Sequence, residues 1–120
     1  MPYSRLVQTV IETRAFQSSA RTAGMTDSEI GAAIEIVSAD PMAGDLIVGS
    51  GGCRKVRVAG RGKGKSGGYR VITYFVLETG VYLLWVISKG RTANLTKAQV
   101  NDLAKVAKTL AEAAKEFDRG

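Results

Sequence analysis

CRKVRVAGRGKGKSGGYRVITYFVLETGVYLLWVIS, residues 53–88, is the stretch that decides the fold. Cys53 to Ala59 reads as a strand, Gly60 to Gly68 as a flexible Gly/Lys loop, and Tyr69 to Leu77 as a second strand. Glu78-Thr79-Gly80 is a short turn. Val81 to Ser88 is a third strand, apolar enough to be central and covered on both faces. Connections this short imply antiparallel pairing. In the first strand Lys55 and Arg57 leave one face, while Val56 and Val58 leave the other toward the core. Arg70 begins the next strand, and hairpin pairing brings it alongside them.

The same stretch carries the positive charge of the chain. Cys53 to Arg70 holds seven basic residues and no acid, and Leu46 to Asn101 holds ten Lys or Arg against the single acid Glu78. The remainder has seven basic residues against ten acids, so the net charge of +6 is local. A positive field centred on a sheet points to a polyanionic partner, with RNA or DNA first.

Working outward, Leu6 to Ile11 is short, apolar and β-branched and is expected to be a first strand. Glu12 to Ala23 has helical character around Phe16 and Ala20, and Gly24 ends it. Thr26-Asp-Ser-Glu29 is a capping box, with Met25 and Ile30 as its hydrophobic staple. Ile30, Ala33, Ile34 and Val37 form one helical face, which Asp40-Pro41 terminates. Asp45 to Gly52 reads as a Gly-rich connection. Thr96-Lys-Ala-Gln99 is a second capping box, stapled by Leu95 and Val100. It opens a helix whose stripe Val100, Leu103, Ala107, Leu110, Ala114 and Phe117 is expected to pack on the sheet or on a partner helix. The chain's own core is favoured, with Phe117 at the end free to serve a partner.

Composition removes several function classes. The 120 residues, 45% apolar and 23% charged, fit one globular domain spanning 1–120. No apolar run approaches the roughly 18–20 residues of a membrane helix, and no basic-then-apolar leader opens the chain. One cysteine rules out an internal disulfide and suits a reducing compartment, so the expected location is cytoplasmic. Histidine is absent. Zinc and haem sites of the usual kind and His-dependent nucleophile systems are therefore not expected, and neither metal nor cofactor is assigned. An enzyme built from this chain draws its acid and base from Lys, Arg, Tyr, Asp or Glu.

Three readings compete for the basic segment. Ala59 to Ser66 loosely matches a phosphate-binding loop, but that motif requires a helix after the loop, and Tyr69 onward reads as strand. A plain solvated face is the second. It is weakened because the charges are all of one sign, and gathered like charges repel unless a ligand neutralises them. The third is a phosphodiester site. Cutting RNA through its own 2′-OH means removing that proton, stabilising charge on the phosphate and protonating the 5′-oxygen. A lysine can act as base where surrounding positive charge lowers its pKa, and arginines can clamp the phosphate. Lys55, Arg57, Arg70, Lys89 and Arg91 are the candidates. Cys53 is expected to be a small strand hydrophobe rather than a reactive thiol. Trp85 is expected in the core rather than stacked on a base.

Three blocks, DPMAGDLIVGSGG (40–52), CRKVRVAGRGKGKSGGYRVITYF (53–75) and VYLLWVISKGRTANLT (81–96), resemble the RelE/HigB toxins of bacterial type II toxin–antitoxin systems. The resemblance covers roughly residues 36–110 and is narrower still to the HigB-like, phage Gp49-related branch. It implies a compact α+β, microbial-RNase-like fold: an antiparallel sheet, N-terminal helices on one face, a C-terminal helix and a concave basic face. It also implies ribosome-dependent, metal-independent cleavage of translated mRNA, and a cognate HigA-like antitoxin with a helix-turn-helix domain. By carry-over Lys55 or Arg57 helps activate the 2′-OH, and Arg70 and Arg91 stabilise the phosphate. Arg54, Arg61, Lys63, Lys65 and Lys89 would hold mRNA or ribosomal RNA. RelE proper has a tyrosine after the last strand, whereas Arg91 to Thr96 has none, as in HigB-like members; Tyr69 and Tyr74 are the nearby alternatives, both also readable as packing residues. The rival readings are a ParE-like gyrase-inhibiting toxin without nuclease activity and a non-catalytic basic nucleic-acid-binding domain. The Gly/Lys loop and the clustered strand cations favour the nuclease.

Overall fold

The computed structural model describes residues 7–60, 68–88 and 95–119, with side chains to 116. Its elements are β1 (Val10–Glu12), α1 (Arg14–Ala23), α2 (Asp27–Ala39), β2 (Asp45–Leu46), β3 (Arg54–Val58), β4 (Tyr69–Val76), β5 (Gly80–Ser88) and α3 (Lys97–Arg119). The strands form one sheet in the order β1-β5-β4-β3-β2. β2, β3, β4 and β5 pair antiparallel in succession, as their short connections require, but β1 joins β5 in parallel. The α+β class stands and the sheet is mixed. Turn length governs only strands that follow one another, and β1 reaches the far edge ahead of the two helices.

The cap residues act as expected. Thr13 Oγ1 accepts from Phe16 N–H at the start of α1 and donates to Leu83 O at 2.8 Å, so the helix start is pinned to β5. Gly24 closes α1 at φ 81°. Thr26 and Glu29 exchange both capping-box bonds at the start of α2, and Thr96 and Gln99 do so ahead of α3.

Strand alternation splits the interior into two layers. Phe16, Ala20, Ala33 and Val37 of α1 and α2 meet Val56, Val58, Val71, Val81, Leu83 and Val86 on one face of the sheet. Cys53, Ile72 and Leu84 meet Ala107 of α3 on the other, flanked by Leu103 and Leu110. The stripe on α3 thus covers the chain's own sheet, and Phe117 lies outside the described side chains.

Four expectations need correction or trimming. The first strand is Val10–Glu12 rather than Leu6 to Ile11. The connection from Asp45 contains β2, because Leu46 pairs with Arg54. A register shift at Ile72/Thr73 leaves Leu84 as an extra residue in β5. As a result Trp85 is 45% exposed rather than core, and β5 is not covered on both faces along its length. β4, the strand after the Gly/Lys loop, shows why the phosphate-loop match carries no nucleotide site.

Gly80 opens β5 at φ 132°, where an added Cβ would run into the Thr9 carbonyl that accepts from Val81 N–H at 2.8 Å. Gly80→Ala is therefore expected to cost at least about 2 kcal/mol, read as a lower urea midpoint. An unchanged midpoint would show that β1 can move off β5 without cost.

Candidate nucleic-acid interface

Three cations are brought together on the α3 side of the sheet. Arg57 and Arg70 stand directly opposite each other across β3 and β4, and Lys55, two residues along, faces Ile72. α3 covers the Cys53–Ile72–Leu84 end of this face. On this face Arg57 is exposed, and Lys55 and Arg70 are half-buried. Two arginines directly opposite on one face repel, so the arrangement opposes folding unless an anion lies between them. Their planar forks suit bidentate contact with phosphate oxygens.

Other predicted members sit elsewhere. Arg54 shares the parity of Val56 and Val58, so it leaves the opposite face, and its Nη1 donates to Gly44 O at 3.0 Å. It straps β3 to the segment before β2 instead of joining the cation cluster. Gly44 itself lies against the backbone of Lys55, with no room there for a Cβ. Arg61, Lys63, Lys65, Lys89 and Arg91 lie outside the described residues.

Neither tyrosine reaches the cations. Tyr69 points into the helix-side layer, where its hydroxyl donates to Glu29 Oε1 at 3.1 Å. Burial first, then the hydrogen bond and charge of Glu29, push its pKa up. Tyr74 shares the Arg70 face but is four residues away, about 13 Å along the strand. It packs with the α3-side layer, and its pKa is raised by burial and then by Cys53. Cys53 is fully buried, with its thiol pushed up by burial against an opposing hydrogen bond from Ser50. Both tyrosines and the cysteine are packing residues. Among the described residues no three His, Cys, Asp or Glu side chains gather as a metal site, and no helix is long and apolar enough to cross a membrane.

The Glu29–Tyr69 pair was not legible in the sequence, since 40 residues separate its members. Glu29 is only 2% exposed, so a capping-box residue doubles as a buried acceptor. Its effect on stability has a defined sign. The folded state holds the Tyr69 proton more tightly than the unfolded chain, whose tyrosine titrates near ~10. That contribution is whole below pH ~10 and is lost as pH rises through the raised folded value. Tyr69→Phe is expected to cost about 1–3 kcal/mol at neutral pH and to flatten the fall of melting temperature above pH ~10. Identical alkaline slopes in both proteins would remove Tyr69 as a source of that fall.

Two clefts flank Trp85, one against α3 and one reaching Ser19, Thr22 and Ala23 of α1. They adjoin the part of β5 beyond its pairing with β1, where Ser19 Oγ accepts the Val86 N–H at 2.9 Å. No sequence signal marks them, because they depend on β1 ending at Glu12.

A protein-family model described as the RelE toxin of the RelE/RelB toxin–antitoxin system matches residues 8–117.

Proposed function

Because this chain belongs to the RelE toxin family, and so is the toxin of a toxin–antitoxin system with a cognate antitoxin, we propose that it is a ribosome-dependent endoribonuclease of the HigB-like branch. On this reading residues 1–120 form one domain that works in the cytoplasm, cuts translated mRNA without a metal ion, and is silenced by a HigA-like antitoxin. The observation that supports it most is the Arg57–Arg70 pair, directly opposed on one sheet face with Lys55 beside it.

Each group then has a task. Arginine is not deprotonated in proteins, so of these three side chains Lys55 is the one able to take the 2′-hydroxyl proton. The freed 2′-oxygen attacks phosphorus, the P–O5′ bond breaks as a 2′,3′-cyclic phosphate forms, and the 5′-oxygen leaves as it takes a proton from water. Arg57 and Arg70 hold the non-bridging oxygens while negative charge builds on them, and Arg91 adds to that clamp. Arg61, Lys63, Lys65 and Lys89 bind the flanking RNA and the ribosome. Arg54, tied to Gly44, is dropped from that set.

The test is primer extension on mRNA from cells briefly expressing the protein, with purified ribosomes as the in vitro counterpart. Discrete in-frame cuts within translated regions, lost without ribosomes, are expected. Intact mRNA with growth arrested would move the toxin to a protein target such as gyrase. Intact mRNA with normal growth would leave a basic binding domain without activity.

A further inference from the structure

We propose that Trp85 is the stacking wall of a nucleobase subsite, taking a base of the single-stranded RNA whose phosphate lies on Arg57 and Arg70. The inference rests on the endoribonuclease reading and adds to it a place where the base is held.

The register supplies the distances. The direct partner of Arg70 on β5 is Ile87, and Trp85 is two residues back, opposite Ile72. A diagonal neighbour of this kind stands about 7–8 Å away, within reach of aromatic and long side chains. Trp85 shares a cleft with Ile72, Leu84 and Leu103 of the α3-side layer, so its ring rises on the face that carries the cations. A phosphate between the two arginines therefore leaves its attached base within reach of the indole.

The surroundings suit a base. On one side of Trp85 is a cavity of about 370 Å³ walled by Ile72, Leu84, Leu95, Leu103 and Val106, with Asp102 as its one acidic side chain. On the other is a cavity of about 420 Å³ that adds Ser19, Thr22, Ser88 and Thr96 and shares Gln99 with the first. Flat apolar walls accept a π-face, and hydroxyls, an amide and a carboxylate can bond a base edge, the carboxylate accepting from an exocyclic amine. Gln99 Oε1 accepts from Thr96 N–H, which leaves its amide nitrogen as donor. A tryptophan 45% exposed contributes little to the core and is a costly thing to leave in water. The strongly basic neighbourhood favours a nucleic acid over an apolar protein segment as the occupant.

The chain has one tryptophan, so its fluorescence reports on this site alone. The full chain is titrated at low salt with a short single-stranded RNA, 2′-O-methylated to prevent cutting, and with an abasic strand of equal length. The RNA is expected to quench the emission saturably, and the abasic strand to bind without quenching. Trp85→Ala is expected to weaken RNA binding about 5- to 150-fold and leave abasic binding unchanged, while Trp85→Phe keeps most of the affinity. Equal affinity for the two strands without quenching would overturn the subsite and leave the clefts to a protein partner. No binding of either strand would overturn it as well, together with the basic face as a nucleic-acid surface. The endoribonuclease reading fails separately: quenching with intact mRNA keeps the subsite and removes only the cleavage.

Discussion

Arg70→Ala is expected to lower ribosome-dependent mRNA cleavage by about 10²–10³-fold, the usual loss when one preorganised donor to a developing anion is removed. Growth inhibition should disappear with it. The fold should survive, because Arg70 is only half-buried and its partner on β3 is another arginine. Removing it relieves a like-charge pair, so stability is expected to stay within about 0.5 kcal/mol of the parent or to rise slightly. Arg70→Lys restores charge without the planar fork, and its activity should fall between the two. Single-turnover cleavage on programmed ribosomes, measured beside a melting curve, decides the matter. A stably folded Arg70→Ala protein that cuts at the parent rate would take Arg70 out of the site.

Phe16→Ala acts on the other axis. Phe16 is fully buried in the helix-side layer, and α1 makes closer contact with β5 than any other helix makes with the sheet. Truncating it removes an aromatic ring and leaves a cavity, at about 3–5 kcal/mol. Small domains have only about 5–15 kcal/mol in total, so a large part of the stability goes with one side chain. Urea unfolding should show the midpoint falling at an unchanged slope. A loss below about 1 kcal/mol would mean that α1 settles onto the sheet without Phe16. Together the two variants separate a folded, inactive protein from one that fails by unfolding.

Much of this was readable from residue spacing. Both capping boxes, the αL stop at Gly24 and the division of Lys55 and Arg57 from Val56 and Val58 follow from local chemistry, and the structure reproduces each. What failed depends on distant pairing. β1 cannot be placed beside β5 from turn lengths, since no turn joins them. The extra residue in β5 turns Trp85 outward, and a one-residue slip is invisible in a run as uniformly apolar as VYLLWVIS. Arg54 is instructive in a different way. Nearness in sequence put it among the cations expected to hold RNA, whereas the period of two that separated Lys55 from Val56 already assigned Arg54 to the opposite face.

The parallel edge also fixes an order of events during synthesis. β1 leaves the ribosome first among the strands, yet the partner it needs, and the Leu83 carbonyl that anchors Thr13, come 70 residues later. At about 5–20 residues per second the nascent chain waits roughly 4–14 s before that closure is possible. Contacts so far apart in sequence also slow folding itself. The hairpin bearing Arg57 and Arg70 is followed almost at once by β5, the strand that joins it to β1. The toxin is thus translated almost to its last helix before its sheet can close.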